Sequence, residues 1–141
     1  MQLNYDRLRV VLHSSLLVSG GGPRSVLHGT RGSWAKYGAD PQERQLTSGM
    51  LPTDPEFGYD PDPGIHYDGE AGTRTEIPAP AGNQREYYAG VRDAILGRNP
   101  GPVPLKYAIA GMAILEASFE SCARGQVLPI PLTEEERAEW T

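Results

Sequence analysis

Turn-forming residues divide the first eighty residues of this chain into short segments. The sequence contains 17 glycines and 13 prolines among 141 residues, which is about a fifth of the chain. Apolar residues make up 38% of it, so we expect extensive loops and a modest core. The length is typical of one domain, and residues 1–141 are expected to form a single unit.

The first predicted strand rests on the alternation of apolar and polar residues from Tyr5 to His13. One side of this strand is apolar, with Leu8, Val10 and Leu12. The other side carries basic groups, namely Arg7, Arg9 and His13. Two guanidinium groups beside an imidazole can bind a hydroxylated or carboxylated ligand, but contact with water or with another subunit is the simpler interpretation of such a face.

Turn and capping signals place the remaining elements. Two hairpins are expected, one joining Ser25–His28 to Ser33–Tyr37 and the other joining Ile65–Tyr67 to Thr73–Ile77. Helices are expected at about 41–48, from Asn83 to Gly97 and from Pro104 to Arg124, with a capped turn at Thr133–Glu136. This order predicts an α+β fold in which two main helices pack on one face of a mostly antiparallel, open sheet.

Charge and cysteine content exclude several functional classes. The formal net charge of −5 gives no field that would attract nucleic acid, and no apolar run is long enough for a membrane span. Cys122 is the single cysteine, so no internal disulfide can form and a cytoplasmic location is expected. Its place on an apolar helical stripe predicts a buried, inert thiol, and Tyr87 and Tyr88 are expected to anchor their helix in the core.

No catalytic motif in the sequence is complete. Gly20–Gly22 is followed by Pro23, so the dinucleotide fingerprint fails, and no phosphate loop or serine elbow occurs. The side chains of His66, Asp68 and Glu70 alternate along the chain, so on a strand they would share one face and could bind a divalent metal. A solvated hairpin edge is the simpler interpretation. A hydrolase using Asp60 or Asp62 as its base lacks a positioned nucleophile. We therefore predict no catalytic, cofactor-binding or metal-binding residue.

Two stretches of the sequence resemble one known family. The segment Leu27–Gly38 contains Gly-Thr-Arg-Gly-Ser and resembles the strand–GTxGS–strand hairpin in the C-terminal domain of Gfo/Idh/MocA oxidoreductases, relatives of glucose-fructose oxidoreductase. The segment from Tyr87 to Gly125 is similar to the closing helical segment of that family. With the turn at Asp40–Glu43, the resemblance covers nearly the whole chain.

The resemblance implies a parent enzyme of two domains. Its N-terminal Rossmann domain would bind NAD or NADP, and its C-terminal α+β domain would shape the substrate pocket and make the oligomer contacts. Only the second domain has a counterpart here, so the chain is expected to be a partial domain, truncated at its N-terminus, with no cofactor of its own. No catalytic residue of the family can be carried over to a numbered position.

The resulting hypothesis is a substrate-shaping and oligomerisation domain of an NAD(P)-dependent oxidoreductase that acts on a sugar, polyol or related CH–OH substrate, inactive as this fragment. The alternative is a non-enzymatic oligomerisation or ligand-binding module. The expected partner is a second copy, bound through the open sheet face to form a dimer, and neither nucleic acid nor membrane is expected. The candidate substrate or interface residues are Arg7, Arg9, His13, Trp34, Lys36 and Tyr37.

Overall fold

The computed structural model describes residues 1–138, which form six strands and four helices. In chain order these are β1 (Gln2–Tyr5), β2 (Leu8–Val11), β3 (Ser25–His28), β4 (Gly32–Lys36), α1 (Gln42–Thr47), β5 (Gly64–Asp68), β6 (Arg74–Ile77), α2 (Gln84–Ile95), α3 (Leu105–Arg124) and α4 (Glu134–Ala138). All paired strands are antiparallel, which confirms the α+β class with an open antiparallel sheet.

The chain divides into two compact units. The first contains residues 1–18 together with the chain from Asp93 onward, so it holds the β1–β2 hairpin, α3 and α4. The second runs from Ser19 to Arg92 and holds the four-stranded sheet, α1 and most of α2.

The first unit begins with a hairpin where a single strand from Tyr5 to His13 was expected. Tyr5 pairs with Leu8, so the chain reverses over two residues, and the predicted continuous strand is wrong. The Arg9 guanidinium stabilises this reversal by donating to the backbone carbonyls of Tyr5, Asp6 and Leu8 at 2.8, 3.1 and 3.0 Å. Alternation alone could not reveal the turn, because it continues through Asp6 and Arg7, although Asp6 is of a residue type favoured in turns.

The second unit is built on a sheet with strand order β3–β4–β5–β6. Both predicted hairpins are present, and the glycines between β3 and β4 close the turn with a 2.8 Å backbone bond from Gly29 to Gly32. Because side chains alternate across a strand, the register defines two faces. The Trp34 face carries Leu27, Trp34, Lys36, His66, Asp68, Thr75 and Ile77, and the Tyr67 face carries Val26, Ser33, Ala35, Ile65, Tyr67, Arg74 and Glu76.

The predicted helix ends are confirmed by their capping contacts. Asn83 donates to the Glu86 carboxylate at 2.8 Å beside the first turn of α2, and α3 ends at Gly125, whose φ is 62°. Before α4, the Thr133 amide donates to Glu136 at 2.7 Å while the Glu136 amide donates to the Thr133 hydroxyl at 3.2 Å. These reciprocal bonds form a capping box.

The expected helical core is largely exposed. Among residues 1–138, the buried hydrophobic side chains are those of Ala35 and Ala110, whereas Phe119 on α3 is 76% exposed. The predicted burial of Cys122, Tyr87 and Tyr88 is therefore wrong, because the described residues leave these helix faces uncovered. The helical period of α2 and α3 was correctly identified, but a helical period does not show whether another element packs against the apolar face.

Two glutamine side chains of α1 organise the loops of the second unit. Gln42 is 1% exposed; its amide nitrogen donates to the Asp40 carboxylate at 2.8 Å and its oxygen accepts from the Gln84 backbone at 2.9 Å. The Gln45 oxygen accepts from the Gly58 backbone at 2.8 Å. Both amides thus satisfy backbone groups of segments that lack their own ladder of hydrogen bonds.

We predict that Gly58→Ala destabilises the protein more than Gly20→Ala. Both glycines have positive φ, 85° and 82°, so alanine at either site loses about 1 kcal/mol of folding free energy. A Cβ at Gly58 would in addition overlap the carbonyl oxygen of Gly82, whereas Gly20 faces open space. Urea unfolding of both variants measures the difference, and equal losses would show that the contact between Gly58 and Gly82 is not tight.

Candidate functional site

The indole of Trp34 is the largest side chain on the Trp34 face. Trp34 pairs with His66 across β4 and β5, and its ring lies against the backbone of Gly64. A Cβ at Gly64 would overlap the indole Nε1, so only glycine permits this flat placement. The strand pair therefore presents an aromatic surface on one face of the sheet.

Two cavities border the Trp34 ring within the second unit. The first has a volume of about 580 Å³ and extends past His66, Asp68 and Glu70 to the tip of the β3–β4 hairpin. The second has a volume of about 370 Å³, which is within the usual range for small-ligand sites. Its wall combines Trp34 with charged side chains and a proline-rich segment, namely Lys36, Asp40, Pro41, Asp60, Gly64, Ile77, Pro78, Ala79, Pro80 and Gly82.

An ion cluster lies at the second cavity. The Lys36 ammonium contacts the carboxylates of Asp60 and Asp62 at 2.9 Å each, and the side chains of Lys36 and Asp60 are only 18% and 8% exposed. The same Asp62 oxygen accepts from the Gly38 backbone at 2.7 Å, and Asp60 accepts from the Asp62 backbone at 3.0 Å. The cluster therefore attaches the irregular loop before β5 to the end of β4.

These contacts keep all three groups charged. The hydrogen bond from Lys36 lowers the pKa of Asp60 and of Asp62, helped by backbone donors from Asp62 and Gly38 respectively. Burial alone would lower the pKa of Lys36, but hydrogen bonds to the two carboxylates raise it overall. A carboxylate with a lowered pKa is a weak general base, so this geometry gives no support to a hydrolase that uses Asp60 or Asp62.

Of the residues considered as metal ligands, Asp68 has a structural role. One Asp68 oxygen accepts from the backbone amides of Glu70 and Ala71 at 2.8 Å each. The bonds from Ala71 and Glu70 lower the pKa of Asp68 and close the β5–β6 turn. Within residues 1–138, no three His, Cys, Asp or Glu side chains are grouped closely enough to hold a metal ion.

The structure brings only part of the predicted site together. Trp34 and Lys36 share one face of the sheet, and Tyr37 follows β4 with its ring half exposed. Arg7, Arg9 and His13 belong to the other unit, where Arg9 is occupied by the β1–β2 turn. Their role at a substrate or interface stays a prediction.

Sequence reasoning missed Gly64, and it considered Asp60 and Asp62 only as the base of a hydrolase without a positioned nucleophile, not as partners of Lys36. The signal for the ion cluster was present: Lys36 lies in a strand beside apolar neighbours and needs a counter-charge, and the Asp-rich segment 60–62 offers two. The requirement for glycine at position 64 appears only once Trp34 is placed over it. None of the helices within residues 1–138 has the length and apolar content needed to cross a bilayer.

Comparison with known proteins gives consistent matches. A family model described as "Oxidoreductase family, C-terminal alpha/beta domain" matches residues 1–132. The uncharacterized oxidoreductase YdgJ of Escherichia coli (strain K12) is 38% identical over 121 residues, covering 84% of this chain and 35% of YdgJ. The scyllo-inositol 2-dehydrogenase (NADP(+)) IolW of Bacillus subtilis (strain 168) is 32% identical over 128 residues, covering 86% of this chain and 35% of IolW.

A solved structure shows the same fold. A Klebsiella pneumoniae protein assigned as an oxidoreductase is 42% identical and superposes with a TM-score of 0.89, covering 97% of this chain and 39% of that protein. The chain thus spans between 35% and 39% of the length of these relatives.

We predict that the ion cluster makes stability sensitive to acid. Because the carboxyl pKa values are lowered on folding, the stability they contribute is present above the ordinary pKa of 3.8 and is lost as the pH falls below it. Lys36→Met should lower the urea midpoint at neutral pH, since the carboxylates no longer have their counterion. It should also reduce the decrease in stability on acidification. Arg7→Met removes an exposed positive charge and should keep the wild-type acid dependence. An unchanged pH profile in Lys36→Met would contradict this role of the cluster.

Proposed function

This chain belongs to the Gfo/Idh/MocA oxidoreductase family as its C-terminal alpha/beta domain, and we propose that it shapes the substrate pocket of an NAD(P)-dependent enzyme acting on a sugar, polyol or related CH–OH group. The observation that carries the proposal is the Trp34 face, where a flat indole borders a cavity of about 370 Å³. Aromatic faces suit the C–H faces of hydroxylated rings. The relative IolW, a scyllo-inositol 2-dehydrogenase (NADP(+)), supports the substrate class.

The residues of this chain do not themselves fit a dinucleotide. Gly20–Gly22 leads into β3 rather than into a helix, so these glycines offer no helix N-terminus to a pyrophosphate. In such an enzyme, the nicotinamide exchanges hydride with the carbinol carbon of the substrate. This chain matches about a third of the length of its relatives, and we assign nicotinamide binding to the part of those relatives that it does not match. The role proposed for this chain is to bind and orient the substrate and to exclude water from it.

We further propose that two copies associate in the cytoplasm through the Tyr67 face. Val26 and Tyr67 on this face are 38% and 40% exposed, although both are large and apolar in part. The face also carries Arg74 and Glu76, which pair with each other at 3.0 Å within one copy and, at about half exposure, can exchange partners with the same pair of a second copy. A surface with both signs of charge is self-complementary under two-fold symmetry.

The purified chain should not oxidise scyllo-inositol with NADP, because its residues supply no nucleotide site. Absorbance of the reduced nicotinamide measures turnover, and nuclear magnetic resonance on the same sample measures polyol binding. Binding without turnover is the expected result. Turnover by the chain alone would overturn the proposal, and the absence of both binding and turnover would favour a non-enzymatic oligomerisation module.

Tyr67→Asp should weaken self-association at least tenfold, or about 1.4 kcal/mol, since it places a charge in the centre of the proposed interface. Sedimentation equilibrium of the wild type should give the mass of a dimer. An interface of about 800 Å² per partner would be sufficient for a stable dimer. Tyr59→Asp is the matched control, because Tyr59 is also exposed but lies in the loop before β5 and not on the Tyr67 face. A wild-type monomer at high micromolar concentration, or a dimer insensitive to Tyr67→Asp, would refute the interface.

A further inference from the structure

The β5–β6 turn contains an aspartate that is followed directly by a glycine, Asp68–Gly69. In such a pair, the backbone nitrogen of the glycine can attack the side-chain carboxyl carbon of the aspartate. Glycine has no Cβ to hinder this approach, and its backbone turns freely. The attack closes a succinimide ring, so the turn carries the residues needed for a spontaneous modification.

The reaction needs no co-reactant other than water. The Gly69 nitrogen loses its proton and bonds to Cγ of Asp68, while the protonated carboxyl group loses its hydroxyl, and the two leave together as water. Water then opens the ring. Opening at the side-chain carbonyl restores aspartate, whereas opening at the main-chain carbonyl leaves an isoaspartyl linkage, in which the backbone runs through the former side chain.

The peptide group that joins the two residues is held at both ends. The carbonyl oxygen of Asp68 accepts from the Gly72 amide at 3.0 Å. The Gly69 amide donates to the carbonyl oxygen of Arg31 at 2.9 Å. The Gly69 nitrogen can reach Cγ only if this peptide group rotates, and rotation breaks both hydrogen bonds. The folded turn therefore withholds the nucleophile.

The carboxyl group is held as well. One Asp68 oxygen accepts from the backbone amides of Ala71 and Glu70 at 2.8 Å each. These bonds lower the pKa of Asp68, so the group stays ionised at neutral pH. A carboxylate is a poorer electrophile than a carboxylic acid, because it has no hydroxyl group to lose as water.

The acceptor for the Gly69 amide comes from a distant part of the chain. Arg31 lies in the β3–β4 turn, next to Gly32, which pairs with Asp68 across β4 and β5. A Cβ at Gly32 would overlap the carbonyl oxygen of Tyr67, and a Cβ at Gly69 would lie 2.9 Å from the Arg31 carbonyl oxygen. Glycine at both positions therefore permits the close contact between the two turns.

We propose that Asp68–Gly69 is a latent isoaspartyl site, which the β3–β4 turn keeps closed until the two turns separate. Local opening exposes the site transiently, so the rate of modification follows the population of the open state. Isoaspartate lengthens the backbone of the turn by a methylene group and removes the side chain that closes it. The free α-carboxylate of the product is the group that protein carboxyl methyltransferases methylate, which defines the class of enzyme that would recognise the modified chain.

Peptide mass spectrometry measures the reaction in the chain kept at neutral pH and physiological temperature, because isoaspartyl and aspartyl peptides separate by chromatography. The folded chain should accumulate isoaspartate at Asp68 at least about tenfold more slowly than the same chain unfolded in urea. Equal rates would show that the fold does not close the site. The absence of isoaspartate from the unfolded chain would overturn the site itself.

Gly32→Ala tests the role of the β3–β4 turn, because the new Cβ overlaps the Tyr67 carbonyl oxygen and moves this turn away from Gly69. In the folded chain it should raise both the rate of isoaspartate formation and the hydrogen exchange of the Gly69 amide about fivefold or more. Gly21→Ala is the matched control, since its Cβ meets open space and should change neither rate. A Gly32→Ala variant that is folded by circular dichroism and modified at the wild-type rate would refute the gate.

Asp68→Asn keeps the gate testable where Gly32→Ala fails to fold. Asparagine is nearly isosteric with aspartate, its side-chain oxygen can accept the same backbone bonds, and it forms the same succinimide with loss of ammonia. Deamidation should be at least about tenfold slower in the folded variant than in urea, with a matching protection of the Gly69 amide against hydrogen exchange. Fast deamidation beside a slowly exchanging Gly69 amide would show that the bond to Arg31 does not control the reaction.

Discussion

The contact between the Lys36 ammonium and the carboxylates of Asp60 and Asp62 is the interaction on which the second unit depends. The loop before β5 has no strand or long helix to position it, and it meets the sheet at this cluster. Buried ion pairs add little net stability, because desolvation offsets the attraction, but they disfavour any arrangement that separates the charges. The cluster therefore specifies where the loop lies more than it stabilises the fold. Gln42 and Gln45 act in the same way on neighbouring segments.

The candidate site follows from this polar framework. The loop fixed by Lys36 leads directly into Gly64, and Gly64 in turn lets the Trp34 indole lie flat on the sheet. A displaced loop would move the acceptor groups and the aromatic surface together. Cavity shape and cavity charge thus have one origin, which explains how a unit with so few buried hydrophobic side chains presents a defined pocket.

Local signals in the sequence were sufficient to predict the turns and helix ends that depend on neighbouring residues alone. The glycines of the β3–β4 turn, Gly125 after α3 and the Thr133–Glu136 box each satisfy a nearby backbone group, so their consequences are readable within a few residues. The β1–β2 turn was missed because Arg9 stabilises it through carbonyl contacts that no turn propensity reflects. Trp34 and Lys36 were recognised as candidates, but their partners lie more than twenty residues away, and only the fold brings them into contact.

Helix α3 shows how a correct pattern led to a wrong statement about burial. Its apolar residues repeat with the helical period, yet Leu105 and Phe119 are 74% and 76% exposed. Burial of one such side chain would contribute about 1.5–3 kcal/mol, and this contribution is not realised within the described residues. The same segment lies within the family match, in relatives more than twice as long. The stripe therefore identifies the apolar face of α3 without establishing its burial.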